Sequence, residues 1–320
     1  MKLYNFLKNK VTMQNILLLL IVIYIILYIR HDIQNMQNMQ NMEGFETTEG
    51  FETNLDNTDF KEYNENNEIY DEFYSKIYDQ LFYSENKNLF EVDNIIKYTK
   101  PNTDSFLLDV GCGTGNHVYE FNKKNMNIMG VDKSHEMIKY SKKKFPDLSL
   151  RNGDVLTTML FEEQTFSHVL CLYFTIYEIS NKRQFLSNCY SWLKPGGFLV
   201  VHLVNRSMFD PIIPPSNPVM FVNPQKYAKK RMTNSVVKFK KFDYDATYSE
   251  EQSNKSVFKE TFLQKKTNKP IRVNNHHLYM DSQKEILGIA KDAGFMLKGK
   301  SAMTSCTYEY QYLYYLQKPF

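Results

Sequence analysis

Three glycines at alternate positions, Gly111, Gly113 and Gly115, follow directly on the apolar run Phe106–Val110. Glycine has no Cβ to hold a ligand off and tolerates positive φ, so such a turn lays bare backbone against whatever binds there. Three acids stand at related positions. Asp109 immediately precedes the turn, where it ties the loop down or receives a ligand ammonium. Asp132 closes the run Asn127–Asp132, 17 residues after Gly115. A carboxylate there can accept from two vicinal ribose hydroxyls, or it can be a plain capping acid. Asp154 follows Gly153 and can accept from an adenine amino group while the Val155 N–H donates to the ring; a simple Asx turn is the alternative. Proton-transfer candidates are His202, Tyr177, His276 and its neighbour His277, each of which is also compatible with a structural, hydrogen-bonded role. Tyr173, Phe174 and Tyr177 read either as an acceptor pocket or as core. No His/Cys spacing suggests a metal, and the four cysteines form no disulfide framework.

The elements that must position these residues alternate. Apolar strands are expected at Phe106–Val110, Asn127–Asp132, Leu148–Leu150, Phe166–Tyr173 and Phe198–Val204. Helices are expected from Glu68 with Ile69, Phe73, Ile77 and Leu81 on one face, from Glu85 to Tyr98, from Val118 to Lys124, from the Ser134 cap to Phe145, and from the Asn181 cap to Leu193. Strands separated by helices make βαβ units and a parallel sheet, whose ligands bind beyond the carboxyl ends of the strands. Residues 205–280 break this rhythm. Val236–Tyr244 and Ser256–Gln264 alternate apolar and polar side chains, which predicts a small antiparallel sheet inserted over the site. A last helix capped at Asp281 or Ser282 and two strands, Phe295–Lys300 and Tyr308–Gln317, close the chain.

The amino-terminal part differs in composition. After a tail of residues 1–10, the apolar stretch 11–29 is long enough to predict a single transmembrane helix and a membrane-anchored protein whose folded domain faces the cytosol. Residues 30–66 repeat Gln-Asn-Met and Glu-Gly-Phe-Glu-Thr and read as a disordered linker; residues 67–320 read as the folded domain. The net charge of +3 conceals an acidic stretch, Glu43–Glu72, with a balance of −10, and a basic one, Lys226–Arg272, with +8. The basic stretch is a solvated face or a surface for an anionic partner.

LLDVGCGTG, GVDKS, NGDV and WLKPGGFLVV, in this order, resemble the class I S-adenosylmethionine-dependent methyltransferases, and the likeness runs from about Tyr70 to Phe320. It implies a Rossmann-like, doubly wound α/β fold with a seven-stranded sheet containing one antiparallel strand, and S-adenosylmethionine as cofactor. By this resemblance Asp109, Gly111, Gly113 and Gly115 serve the methionine part, Asp132 the ribose, and Asp154 with Val155 the adenine. Tyr78-Asp79 resembles the helix that closes over the cofactor. Cys171-Leu172-Tyr173-Phe174 stands where base-methylating enzymes carry an Asn/Asp-Pro-Pro-aromatic motif, which argues against a nucleic-acid acceptor. The expected activity is in-line methyl transfer to a small-molecule or protein acceptor near a membrane. The competing readings are an NAD-type oxidoreductase and a non-catalytic module of the same fold.

Overall fold

The computed structural model describes residues 18–26, 60–216, 225, 228 and 230–320. The chain divides into two units, residues 1–58 and 59–320. In the first, residues 18–26 are helical and the rest of the predicted 11–29 span lies outside the described residues. Among the described residues no helix is long and apolar enough to cross a membrane. This overturns the expectation of a single-pass, membrane-anchored protein.

In the second unit the chain runs β1 (Lys61–Tyr63), α1 (Asn66–Ile69), α2 (Glu72–Phe82), α3 (Glu85–Thr99), β2 (Phe106–Val110), α4 (Asn116–Lys123), β3 (Asn127–Asp132), α5 (His135–Lys144), β4 (Ser149–Asn152), β5 (Phe166–Cys171), α6 (Thr175–Glu178), α7 (Lys182–Trp192) and β6 (Leu193–Val204). It continues through β7 (Asn234–Lys238), β8 (Phe242–Glu250), β9 (Lys255–Gln264), β10 (Pro270–Tyr279), α8 (Gln283–Asp292), β11 (Met296–Ala302) and β12 (Gln311–Gln317). Seven strands form one sheet in the order β11-β12-β6-β5-β2-β3-β4. From β6 to β4 all neighbours are parallel; β12 runs antiparallel to both β6 and β11. The chain starts in the middle of the sheet at β2, steps outward to β3 and β4, then returns to β5 on the other side. The crevice at that reversal, beyond the carboxyl ends of β2 and β5, is where an open sheet leaves room for a ligand.

The sequence accounts for the helix starts. Asp71, Ser84, Ser134, Asn181 and Ser282 each cap a helix by accepting a backbone N–H, and Ser282 with Glu285 completes a capping box. The sheet is covered on both faces. Leu108, Val110, Val169, Phe185 and Trp192 are sealed in one layer, and Leu107, Val92, Ile95, Val118 and Phe121 in the other. That continuous burial is why the central strands read as apolar runs instead of alternating patterns.

A second sheet, in the order β1-β10-β9-β8-β7, is built mainly from residues 234–279. Here the structure departs from the predicted elements. Val236–Tyr244 is a hairpin and not one strand: the chain turns at Phe239, whose N–H donates to the Phe242 carbonyl at 3.0 Å. Residues 61–66, predicted as linker, are ordered instead. Lys61–Tyr63 pairs in parallel with Arg272–Asn274, and Asn66 opens α1; the remaining linker positions up to 59 lie outside the described residues. The helix predicted from Glu68 breaks at Tyr70-Asp71, because the Asp71 carboxylate accepts from Tyr74 N–H at 2.9 Å and caps a new helix.

A buried polar chain joins this sheet to α2. Arg272 grips the Asp71 carboxylate with bonds of 2.9 and 2.7 Å and donates to Asn274 Oδ1 at 2.7 Å. Asn274 in turn donates to Glu260, which also meets His276 Nε2 at 2.7 Å and Tyr244 OH at 2.7 Å. Glu260 is fully buried, which opposes its ionisation, yet His276, Asn274 and Tyr244 outweigh burial and hold its carboxyl below the usual range.

Candidate active site

At the end of β2 the backbone turns three times into the left-handed region, at Gly111 (φ 66°), Gly113 (φ 52°) and Gly115 (φ 81°). Their surroundings differ. A Cβ on Gly111 would lie 2.5 Å from the Thr175 side chain, so α6 rests directly on the loop. A Cβ on Gly115 would lie 2.1 Å from Ser141 Oγ, packing α4 against α5. At Gly113 the nearest side-chain atom, Tyr78 Cε1, is 3.9 Å away, so this glycine faces open space roofed by α2.

Asp132 shapes the loop from β3. One carboxylate oxygen accepts the Gly113 N–H at 2.9 Å and the other accepts the Ser134 N–H at 2.8 Å. Burial raises its pKa, opposed by those two N–H groups. Four lone-pair positions exist on a carboxylate, so two stay open for hydroxyl donors. Asp109 lies beneath the loop, 2% exposed, and its Oδ2 has no partner among the described residues. Burial pushes its carboxyl up to about 7; His117 and Lys87 pull it down, and Glu91 and Asp132 add to the rise.

Asp154 is more committed than its spacing alone indicated. Its Oδ1 accepts from Leu156 N–H at 2.9 Å and its Oδ2 meets Lys133 at 3.0 Å. Partial burial opposes ionisation, but these partners hold the carboxyl below the usual range. The Val155 carbonyl accepts from Asn188 at 2.9 Å.

Asp109, Gly111, Gly113, Asp132, Asp154, Val155 and Tyr78 line one cavity of about 890 Å³. Gly115 sits behind the loop as the cap of α4. Of the proton-transfer candidates, His276 and His277 line the cavity. His202 and Tyr177 lie apart from it. His202 is fully buried with Nδ1 against the Tyr173 carbonyl at 2.9 Å, and burial lowers its pKa to about 4. The Tyr177 hydroxyl accepts the Val204 N–H at 2.8 Å, and burial raises its pKa. Both secure the junction of β5 and β6. Tyr173 and Phe174 line the cavity while Tyr177 belongs to the core.

Asp79, named in the sequence only as part of the closing helix, accepts from Thr114 Oγ1 at 2.6 Å and Asn116 Nδ2 at 2.9 Å and pairs with Lys144 at 2.6 Å, clamping α2 onto the glycine turn. Two features were missed in the sequence. Glu91, fully buried on α3, holds Lys87 at 2.8 Å and His117 at 2.7 Å; burial opposes its ionisation, but the Lys87 charge and the His117 bond bring its carboxyl down to about 2. The i,i+4 spacing of Lys87 and Glu91 was the available signal, but such pairs usually lie on a solvated face. Glu178, at the end of α6, lines the cavity and accepts from the Tyr70 hydroxyl.

Residues 107–197 match the methyltransferase domain family. A dTDP-3-amino-3,4,6-trideoxy-alpha-D-glucopyranose N,N-dimethyltransferase of Streptomyces venezuelae is 26% identical over 140 residues, 42% of this chain and 58% of that one. This chain therefore matches a little over half the length of that relative. Among solved structures, the CcbJ methyltransferase from Streptomyces caelestis superposes with a TM-score of 0.60 at 14% identity, covering 79% of this chain and 98% of the other. SAM-bound CalS10, an amino pentose methyltransferase from Micromonospora echinaspora, gives 0.51 at 19% identity, covering 71% and 89%. At these identities the superpositions speak for the fold. The matching domain spans the glycine turn at the carboxyl end of β2 and the acid at the end of β3, the motifs by which the chain resembles the class I S-adenosylmethionine-dependent methyltransferases.

Proposed function

We propose that the protein transfers a methyl group from S-adenosylmethionine to the amine of a small molecule, of the amino-sugar type. The observation that carries this reading is the single cavity. The cavity that carries the glycine turn, Asp132 and Asp154 is also lined by Tyr70, Tyr248, Phe258, His276 and Glu178. Its volume of about 890 Å³ is large enough for a cofactor and an acceptor together.

The residues suit the cofactor. The unpartnered Asp109 Oδ2 matches a ligand ammonium, the open face of Gly113 matches close backbone approach, and the free lone pairs of Asp132 match ribose hydroxyls. Asp154 and Val155 stand where they can border the adenine, with Lys133 and Leu156 fixing the Asp154 carboxylate. When bound, S-adenosylmethionine supplies a methyl already activated by its sulfonium. What the chain must add is alignment and exclusion of water. Tyr78 and Phe82 on α2, with Tyr173 and Phe174 after β5, add aromatic lining to the same cavity.

An amine acceptor is supported by the grouping of one carboxylate, Glu178, with the aromatic rings of Tyr70, Tyr248 and Phe258, which favours a cationic nitrogen. The dimethyltransferase of S. venezuelae, named for a nucleotide-linked amino sugar, is the kind of enzyme this reading resembles. Calorimetric titration with S-adenosylmethionine, S-adenosylhomocysteine and NAD tests it. The first two should bind at micromolar concentrations and lose affinity in Asp132→Ala. Binding of NAD alone would refute the reading.

A further inference from the structure

Glu178 is a carboxylate of the cavity lining whose position is set by both α6 and Tyr70. It ends α6, which begins at Thr175 directly after β5. Thr175 packs where a Cβ of Gly111 would be, so α6 cannot move away from the glycine turn without opening that contact. Glu178 lies one helical turn further and faces the same cavity. The Tyr70 hydroxyl donates to its Oε1. Its Oε2 has no hydrogen-bond partner among the described residues and is not among the sealed buried atoms. Tyr70 is itself held: its ring packs edge-on against His276 at 5.8 Å and lies 6.4 Å from Tyr78. One carboxylate oxygen is thus fixed from the α2 side and the other is left facing the cavity.

The neighbouring polar groups, His276 and Glu260, are committed elsewhere. His276 Nε2 meets Glu260 at 2.7 Å and Tyr74 OH at 3.3 Å, holding the second sheet to α2. Glu260 is closed off by His276, Asn274 and Tyr244. Burial, with the Asp132 and Glu260 charges, raises the Glu178 pKa against the pull of His276 and the Tyr70 bond.

We infer that Glu178 is the acceptor-side catalytic residue: its Oε2 accepts a hydrogen bond from the acceptor amine and takes the proton released on methylation. This rests on the amine reading above. As the nitrogen lone pair forms the new N–CH3 bond, the CH3–S bond breaks and its electron pair stays on sulfur. The N–H proton then passes to Glu178 Oε2 and on to solvent, so charge and atoms balance without another reactant. Tyr70 is a positioning residue that fixes the carboxylate rotamer.

The test uses the full chain, S-adenosylmethionine carrying a labelled methyl, and two amine probes, glucosamine and dTDP-3-amino-3,4,6-trideoxy-D-glucose. S-adenosylhomocysteine affinity is measured alongside. Glu178→Gln should keep that affinity within about twofold and lower kcat/KM for a methylated probe by ~100-fold, the usual worth of a positioned base. Glu178→Asp should recover part of the loss, and Tyr70→Phe should lower kcat by ~10-fold with the same S-adenosylhomocysteine affinity. A Glu178→Gln variant as fast as the wild type would overturn the inference. So would a wild type that binds S-adenosylhomocysteine but methylates neither probe. Failure of the wild type to bind S-adenosylhomocysteine would instead remove the methyl-transfer reading, and this inference with it.

Discussion

Asp109→Asn should make the protein more stable at pH 8 and poorer at holding its cofactor. The Asp109 carboxyl is raised by burial from 3.8 to about 7. A shift of ~3 units corresponds to roughly 4 kcal/mol. The sign follows from which state holds the proton. Between about pH 4 and pH 7 the unfolded chain has released it and the folded chain has not, so stability falls as pH rises through that window and then levels off. Asparagine keeps the shape and does not titrate. Its unpaired NH2 costs about 1 kcal/mol, leaving a net gain of about 3 kcal/mol at pH 8. For a domain of this size that is a rise in Tm of about 6 °C. At pH 4, where the folded chain keeps the proton and the unfolded chain has released only about half of it, nearly all of the gain should vanish. Affinity for S-adenosylhomocysteine, which carries the same ammonium, should fall ~10- to 100-fold with the loss of a charged hydrogen bond. Calorimetric unfolding at pH 4 and pH 8, with a ligand titration at pH 8, reads all three quantities. A Tm difference that does not change with pH would refute the burial argument, and unchanged affinity would refute the ammonium contact.

Gly115→Ala forces a side chain into the left-handed region at φ 81° and against Ser141 Oγ at 2.1 Å, so it should cost about 2–3 kcal/mol, read by urea unfolding. Pairing it with Ser141→Gly should recover the clash but not the backbone strain. Lys87→Met leaves the buried Glu91 carboxylate with His117 alone and should cost about 3–5 kcal/mol. In the wild type, the Glu91 contribution is present above the unfolded carboxyl pKa and is lost as pH falls from about 4 towards about 2; acid unfolding should show it, and the Lys87→Met variant should show less of it. Asp79→Ala removes the bonds from Thr114, Asn116 and Lys144 and frees α2 from the glycine turn; S-adenosylhomocysteine affinity should fall by ~10-fold, with a drop of a few degrees in Tm.

The sequence is most legible where one local cause decides the outcome. Apolar runs sealed on both faces made β2, β3, β5 and β6 readable, and side-chain caps at Ser134, Asn181 and Ser282 fixed three helix starts. Gly111, Gly113 and Gly115 were readable because only glycine takes three positive φ angles in five residues without strain. Elsewhere distant partners decide. Lys61–Tyr63 is a strand only because β10 offers an edge 211 positions away, and nothing in an acidic, low-complexity context signals that. Val236–Tyr244 alternates as a single strand would, but β8 pairs with β9, and β7 folds back beside it. His202 and His276 looked equivalent as isolated residues. One is enclosed by Tyr173 and the other faces a cavity, a difference that follows from packing and not from the residue type.

The placement of α2 joins these points. Asp71 at its start is held by Arg272 of the second sheet, and Asp79, two turns on, is held by Thr114 and Asn116 of the glycine turn. Tyr74 and Tyr78 lie between, against the His276 side and the Gly113 side respectively. A change in the cofactor loop therefore bears on the lining around His276 through one rigid helix, without needing the two sheets to touch. Arg272→Lys would probe this: it keeps the charge but loses the Nε bond to Asn274 and the Nη2 bond to the Ile69 carbonyl, which orient the side chain on Asp71. If α2 transmits between the sites, this substitution on the far sheet should weaken S-adenosylhomocysteine binding several-fold, while the surface variant Lys259→Ala leaves it unchanged. Equal affinity in both variants would mean that the glycine turn holds its geometry without the second sheet.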